Sequence, residues 1–242
     1  SGAIFNIKVQ QDNFLGKGNN VSLEIEKSSY KKLLRYRNTD PYFTEDGISK
    51  STSLVLSETD VSSTSTASYI SDTIAYGVNY NIPISETRSY GYGAELILTD
   101  YTTTLGSPNN VVSFINKYGK SHFGLMLRAS LVEDTRNRTV YATQGKNQTI
   151  TSNLFIKPDF DYSYASIKFT GEYNTPYKLN FFDMFSWDTT FQVKPQLGIG
   201  MGLLGESSLP FHDKYYAGGD RTVRGFDSGS LGPLRNLSLI HI

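Results

Sequence analysis

Thr73-Ile-Ala-Tyr-Gly-Val-Asn-Tyr-Asn-Ile82 is the stretch that decides how this chain folds. Ile74, Tyr76, Val78, Tyr80 and Ile82 alternate with Thr73, Ala75, Gly77, Asn79 and Asn81, and Ile84 extends the first set. A period of two puts the sets on opposite faces of a β-strand, one apolar and one polar. The pattern recurs. Tyr90, Tyr92, Ala94, Leu96 and Leu98 oppose Gly91, Gly93, Glu95 and Thr99, and Phe123, Leu125, Leu127, Ala129 and Leu131 oppose Gly124, Arg128 and Ser130. Ala165, Ile167 and Phe169 oppose Ser166, Lys168 and Thr170. Trp187, Thr189, Phe191, Val193, Leu197, Ile199, Met201 and Leu203 oppose Gln192, Lys194, Gln196 and three glycines.

These segments predict about ten strands of the roughly 9–11 residues that cross a membrane. They fall near 3–11, 19–28, 31–39, 48–59, 69–82, 89–101, 121–133, 147–157, 161–173 and 187–204, and no segment reads as a long helix. Short turns such as Asp12–Gly18 and Ser85–Ser89 alternate with longer polar connections, Glu58–Ser71 and Thr102–Ser121. Short turns on one side and long loops on the other are the layout of an outer-membrane barrel.

Two architectures share such alternation. A soluble sandwich turns its apolar faces to a core; a membrane barrel turns them to lipid around a wet lumen. The segments 69–82 and 187–204 exceed the usual soluble strand of about five or six residues, which favours the barrel. Tyr42, Phe43, Tyr90, Tyr92, Tyr173 and Tyr177, read near strand ends, suit interfacial aromatic girdles. Pro195, which cannot donate to a ladder, predicts a bulge in the last strand.

Composition narrows function. The 242 residues hold 23 basic and 23 acidic side chains, net zero, which argues against nucleic acid as a partner. Absence of cysteine removes disulfides and thiolate metal sites, and His122, His212 and His241 are scattered without ligand spacing. No apolar run approaches the roughly 20 residues of a membrane helix. Ser1-Gly-Ala-Ile-Phe5 has no signal-peptide pattern, so an interior fragment is expected.

Gly200-Met-Gly-Leu-Leu-Gly205 matches G-x-G-x-x-G, but the loop Glu206–Pro210 follows where a nucleotide site needs a helix. Glycines facing a lumen are the better reading. Glu133, Asp134, Arg136 and Arg138 read as a solvated turn rather than an acid–base site, and the three Asn-x-Ser/Thr triplets at Asn20, Asn137 and Asn147 as chance. No catalytic, cofactor or metal residues are expected. The tetrad Val223-Arg-Gly-Phe226 is different: it holds a permanent, planar, five-donor cation between two apolar side chains. Taken alone, Arg224 is equally an exposed loop arginine or a buried one paired with a carboxylate, since an unpaired buried guanidinium costs several kcal/mol.

Here the sequence resembles the BamA superfamily of outer-membrane assembly and secretion barrels. Val223-Arg-Gly-Phe226 is similar to the motif of that family's sixth extracellular loop, as are Leu209-Pro-Phe-His-Asp-Lys-Tyr-Tyr-Ala-Gly-Gly219 before it and Ser230-Leu-Gly-Pro233 after it. Val9–Gly18 and Thr39–Gly47 are similar to two of its turns and favour its assembly-factor branch. The resemblance spans residues 1–236.

It implies an all-β fold: an antiparallel transmembrane barrel, present here without its first and last strands, from a parent of roughly sixteen strands preceded by periplasmic POTRA domains. It implies a non-enzymatic, cofactor-free role in folding and inserting outer-membrane proteins through a lateral seam, by strand addition at an edge. The implied partners are unfolded outer-membrane clients, accessory lipoproteins and outer-membrane lipid. Arg224 would reach into the lumen toward acids on strands outside this chain. Gly225 would allow the tight backbone, Phe226 would pack beside it, and Gly218, Gly219, Gly232 and Pro233 would support the loop, 205–236. Leu237–Ile242 has no counterpart in the resemblance and reads as an adapter-encoded, non-native tail. The alternatives are a two-partner-secretion or TamA-type pore, then a passive porin.

Overall fold

The computed structural model describes all residues but 1–2, 61–67, 160, 182–184, 204–208, 220–222, 227–230, 232–233, 236–237 and 240–242. Eleven strands form one antiparallel sheet: β1 (Phe5–Gln11), β2 (Asn20–Lys27), β3 (Lys31–Asp40), β4 (Ser49–Asp60), β5 (Tyr69–Ser85), β6 (Arg88–Thr103), β7 (Ser121–Asp134), β8 (Gly145–Ile156), β9 (Ser163–Phe181), β10 (Phe185–Val193) and β11 (Gln196–Leu203). From β1 to β10 each strand pairs with its sequence neighbour, and β11 also pairs with β9. A two-strand ribbon, β12 (Leu234–Arg235) with β13 (Ser238–Leu239), lies apart from the sheet.

The sheet is open. Its apolar outer face meets no second sheet, so Ile74, Leu96, Phe123, Leu197 and Ile199 stand exposed, the last by 73%. A soluble sandwich would have covered these positions; a barrel in lipid needs them bare of protein. Cross-strand partners keep the face continuous, as in Tyr90 opposite Leu131 and Leu96 opposite Leu125.

Three features correct the sequence reading. Pro195 makes no bulge. Val193 pairs with Tyr173 and Gln196 with Thr170, so one register runs through the break between β10 and β11. Gly171 N–H donates to Pro195 O at 2.9 Å, a bond that Pro195 cannot return. The predicted tenth strand is therefore two collinear strands on the sheet's edge, where proline is tolerated.

Second, β9 and β10 run on to Phe181 and Phe185, which places Tyr173 and Tyr177 inside a strand rather than near its end. Third, the connection 104–120, expected to be a polar loop, contains helix α1 (Asn109–Tyr118). Val111, Phe114, Ile115 and Tyr118 follow the i, i+3, i+4, i+7 spacing of an amphipathic helix, and Gly119 ends it at φ +85°.

Two clusters of buried apolar residues lie on the inner face, at the long-connection end of the sheet. One cluster joins Met126, Phe155, Tyr162 and Tyr164 to Leu209. The other joins Tyr101 with Val111 and Ile115 of α1 to Phe211. Each contains one residue from the segment after β11, so the core forms where that segment meets the sheet.

Candidate functional site: an inward-folded loop

Of the residues after β11, Leu209–Tyr216 lie over the sheet's inner face. Inner and outer faces alternate along β11. Leu197, Ile199 and Met201 point outward and are exposed, whereas Gly198 and Gly200 face the loop. A Cβ at Gly200 would collide with the Leu209 side chain, and one at Gly198 would lie 2.6 Å from the Tyr215 ring. These two glycines are where the backbone must come close to the loop.

Polar contacts then fix the loop's path. The Tyr164 hydroxyl donates to Asp213 Oδ2, Tyr216 Oη donates to Phe211 O at 2.9 Å, and Tyr215 Oη reaches Ile167 O at 3.4 Å. Phe211 packs edge-on against Tyr69, Tyr101 and Phe114, and His212 stacks on Tyr101 with ring centroids 5.3 Å apart. Enclosure by these rings lowers the His212 imidazole to about 4, against a smaller upward pull from Asp213. Burial pushes the Tyr216 hydroxyl up to about 12 and lowers the Lys214 ammonium.

Beyond the anchor, Ala217 bridges Leu231, with Leu231 N–H donating to Ala217 O at 3.0 Å. The bridge ties two points of this segment together. Gly218 and Gly219 lie in it at φ +108° and +99°, a region costly for side chains with a Cβ, and Gly219 N–H donates to Val223 O at 3.1 Å. Val223, Arg224, Gly225 and Phe226 follow, all exposed, with Gly225 at φ +87°. Among the described residues Arg224 makes no hydrogen bond or ion pair. Gly232 and Pro233 lie outside the described residues.

The turn at 133–138 is tied together by charge. Arg136 holds Asp134 at 2.7 Å and approaches Glu172 at 3.6 Å, while Glu133 meets Lys146 at 3.0 Å and Arg88 at 3.1 Å. This network fastens four strands at the short-turn end. At the opposite end, in the connection from β8 to β9, Lys157 lies between Asp159 at 2.9 Å and Asp161 at 2.7 Å.

Sequence reasoning marked the tetrad and missed what seats it: Leu209, Phe211, His212 and Asp213, received by Tyr101, Tyr164 and α1. The helical spacing in 109–118 and the paired glycines at 198 and 200 were the available signals.

An open antiparallel sheet, apolar outside and folded over by its own glycine-rich loop, defines the chain as an outer-membrane β-barrel protein. The Omp85 superfamily domain matches residues 13–238, and the chain belongs to that superfamily. It is 27% identical over 243 residues to the outer membrane protein assembly factor BamA of Neisseria meningitidis serogroup B, covering 96% of this chain and 29% of that protein. Its fold matches the crystal structure of BamA from Haemophilus ducreyi lacking POTRA domains 1–3, with a TM-score of 0.80 and 23% identity, over 96% of this chain and 45% of that one. The chain thus spans under half of each. Family and fold place it in the outer membrane of a Gram-negative bacterium.

Proposed function

We propose that the chain is part of the barrel of an outer-membrane protein assembly factor. The observation that carries this reading is the inward-folded stretch 209–216, seated on Gly198 and Gly200, with the exposed Val223-Arg-Gly-Phe226 following it in the chain. A passive pore needs no such tetrad. In this reading the loop props the parent barrel from inside, and Arg224 pairs with acids on strands outside this chain. Unfolded outer-membrane proteins add their strands at a seam between the parent's first and last strands, with accessory lipoproteins assisting. Strand addition exchanges hydrogen bonds and apolar surface, so the role requires neither catalysis nor a cofactor.

Depletion of the parent protein in its native bacterium, with several unrelated outer-membrane barrels quantified, tests the reading. Loss of all of them supports a general assembly factor. Loss of one secreted protein alone points to a two-partner transporter, and unchanged barrels with altered solute uptake to a porin.

A further inference from the structure

The β9–β10 hairpin outruns the sheet. The β8 ladder on β9 ends at Asn174, yet β9 continues to Phe181 with only β10 beside it. On the neighbouring strands the outward apolar face gives way to polar and charged residues at this level: Leu131 is followed by Glu133, Tyr90 is preceded by Arg88, and Ile150 by Gln148 and Lys146. The hairpin makes no such change. Tyr177 and Leu179 of β9, with Trp187 and Phe191 of β10, continue the outward face without a charge and are 59%, 37%, 63% and 66% exposed. The reverse face is polar: Gln192 donates to Asn174 at 2.8 Å, and Lys178 lies opposite Asp188.

Length makes the excess physical. The outward series from Trp187 to Leu203 covers about 50 Å at roughly 3.3 Å per residue. A tilted strand crosses the apolar band, about 25 Å tall, in about 9–11 residues. The series therefore cannot all lie in the hydrocarbon of one crossing. The ladder break at Pro195 sits near the point where the excess begins.

We propose that residues 175–181 of β9 and 185–191 of β10 form an amphipathic arm that lies against the short-turn leaflet of the bilayer, with Tyr177, Leu179, Trp187 and Phe191 in its interfacial zone. The occupant is lipid because this face is continuous with the lipid-facing surface of β9 and β11. It also carries the Trp and Tyr that prefer the membrane–water boundary, and it keeps Lys178 and Asp188 on the far side. The inference rests on the barrel fold and not on the assembly function.

Trp187 is the only tryptophan among the 242 residues, so the site reports on itself. The full-length protein and its Trp187→Phe variant are reconstituted in phosphatidylethanolamine–phosphatidylglycerol vesicles, and the difference between their emission spectra isolates Trp187. The arm predicts blue-shifted emission, loss of most of it to lipids brominated near the headgroup, and weak quenching by aqueous acrylamide. A Phe191→Lys, Leu179→Lys double variant, checked for a heat-modifiable folded barrel, should move Trp187 into water. Strong acrylamide quenching without lipid quenching in the parent overturns the proposal, and so does protection from both, which would place a protein segment over the arm.

Discussion

The Tyr164 hydroxyl donates its hydrogen bond to Asp213 Oδ2, fastening the loop that carries the tetrad to the inner face of β9. Tyr164 is itself buried at 3% exposure, its ring stacked on Phe155. The bond makes the seat of the loop testable. Tyr164→Phe keeps the ring and removes the donor. A hydrogen bond to a charged group contributes about 1.5–3 kcal/mol. Expected is a folded barrel whose loop is cleaved faster by added protease, read by limited proteolysis of the full-length protein.

The glycines under the loop should resist any side chain. A Cβ at Gly200 meets Leu209, which is buried and cannot swing away. Overpacking of this kind costs about 1–3 kcal/mol. Gly200→Val should therefore unseat the loop and raise labelling of a cysteine placed at Tyr216. A similar change at Gly106, whose Cβ would meet nothing within 4 Å, cannot do so by collision.

Acid should loosen the same seat through His212. Outside its ring cage the imidazole takes a proton near 6.5; within it, only near 4. Between those values the released loop binds more protons than the docked one, so docking is fully stable above 6.5 and weakens as pH falls toward 4. The slope is at most about 1.4 kcal/mol per pH unit. Protease sensitivity of the loop, followed from pH 7 to pH 4 in about half-unit steps, should rise across this window and flatten in His212→Phe.

Helix α1 supports the loop from the other side. Ile115 is 7% exposed and shares a cluster with Phe211. Ile115→Ala should cost about 2–5 kcal/mol locally. The expected outcome is a barrel of normal heat modifiability with earlier proteolysis in both 104–120 and 209–216, mapped by mass spectrometry.

The outward face should tolerate no charge near mid-membrane. Lysine substituted in turn at Leu197, Ile199 and Met201 should cost up to about 2–4 kcal/mol at the position nearest the midplane, falling toward the interfaces. Folding into vesicles, read by heat-modifiable migration, gives the depth profile. Ser166, buried on the inner face of β9, should accept Thr or Asn with less loss.

The strands were legible because each alternates independently of its partners. Ile74 to Ile84 reads as one apolar face whatever lies beside it, since period two is a property of the local backbone. The tetrad stood out by its similarity to a family motif, since taken alone Arg224 reads equally as an exposed arginine or a buried, paired one. By itself the sequence thus determined the all-β class and the order and approximate ends of the strands. Only the tertiary structure decided that Pro195 breaks a ladder without shifting its register, because register belongs to the pair and Gly171 supplies the other half. It also decided that 109–118 is a helix, which Phe211 and Tyr101 stabilise from sequence positions far away, and that Leu209 and Tyr215 sit over Gly200 and Gly198. Those contacts join residues that no local pattern relates, and they form only once the sheet has brought its inner face under the loop.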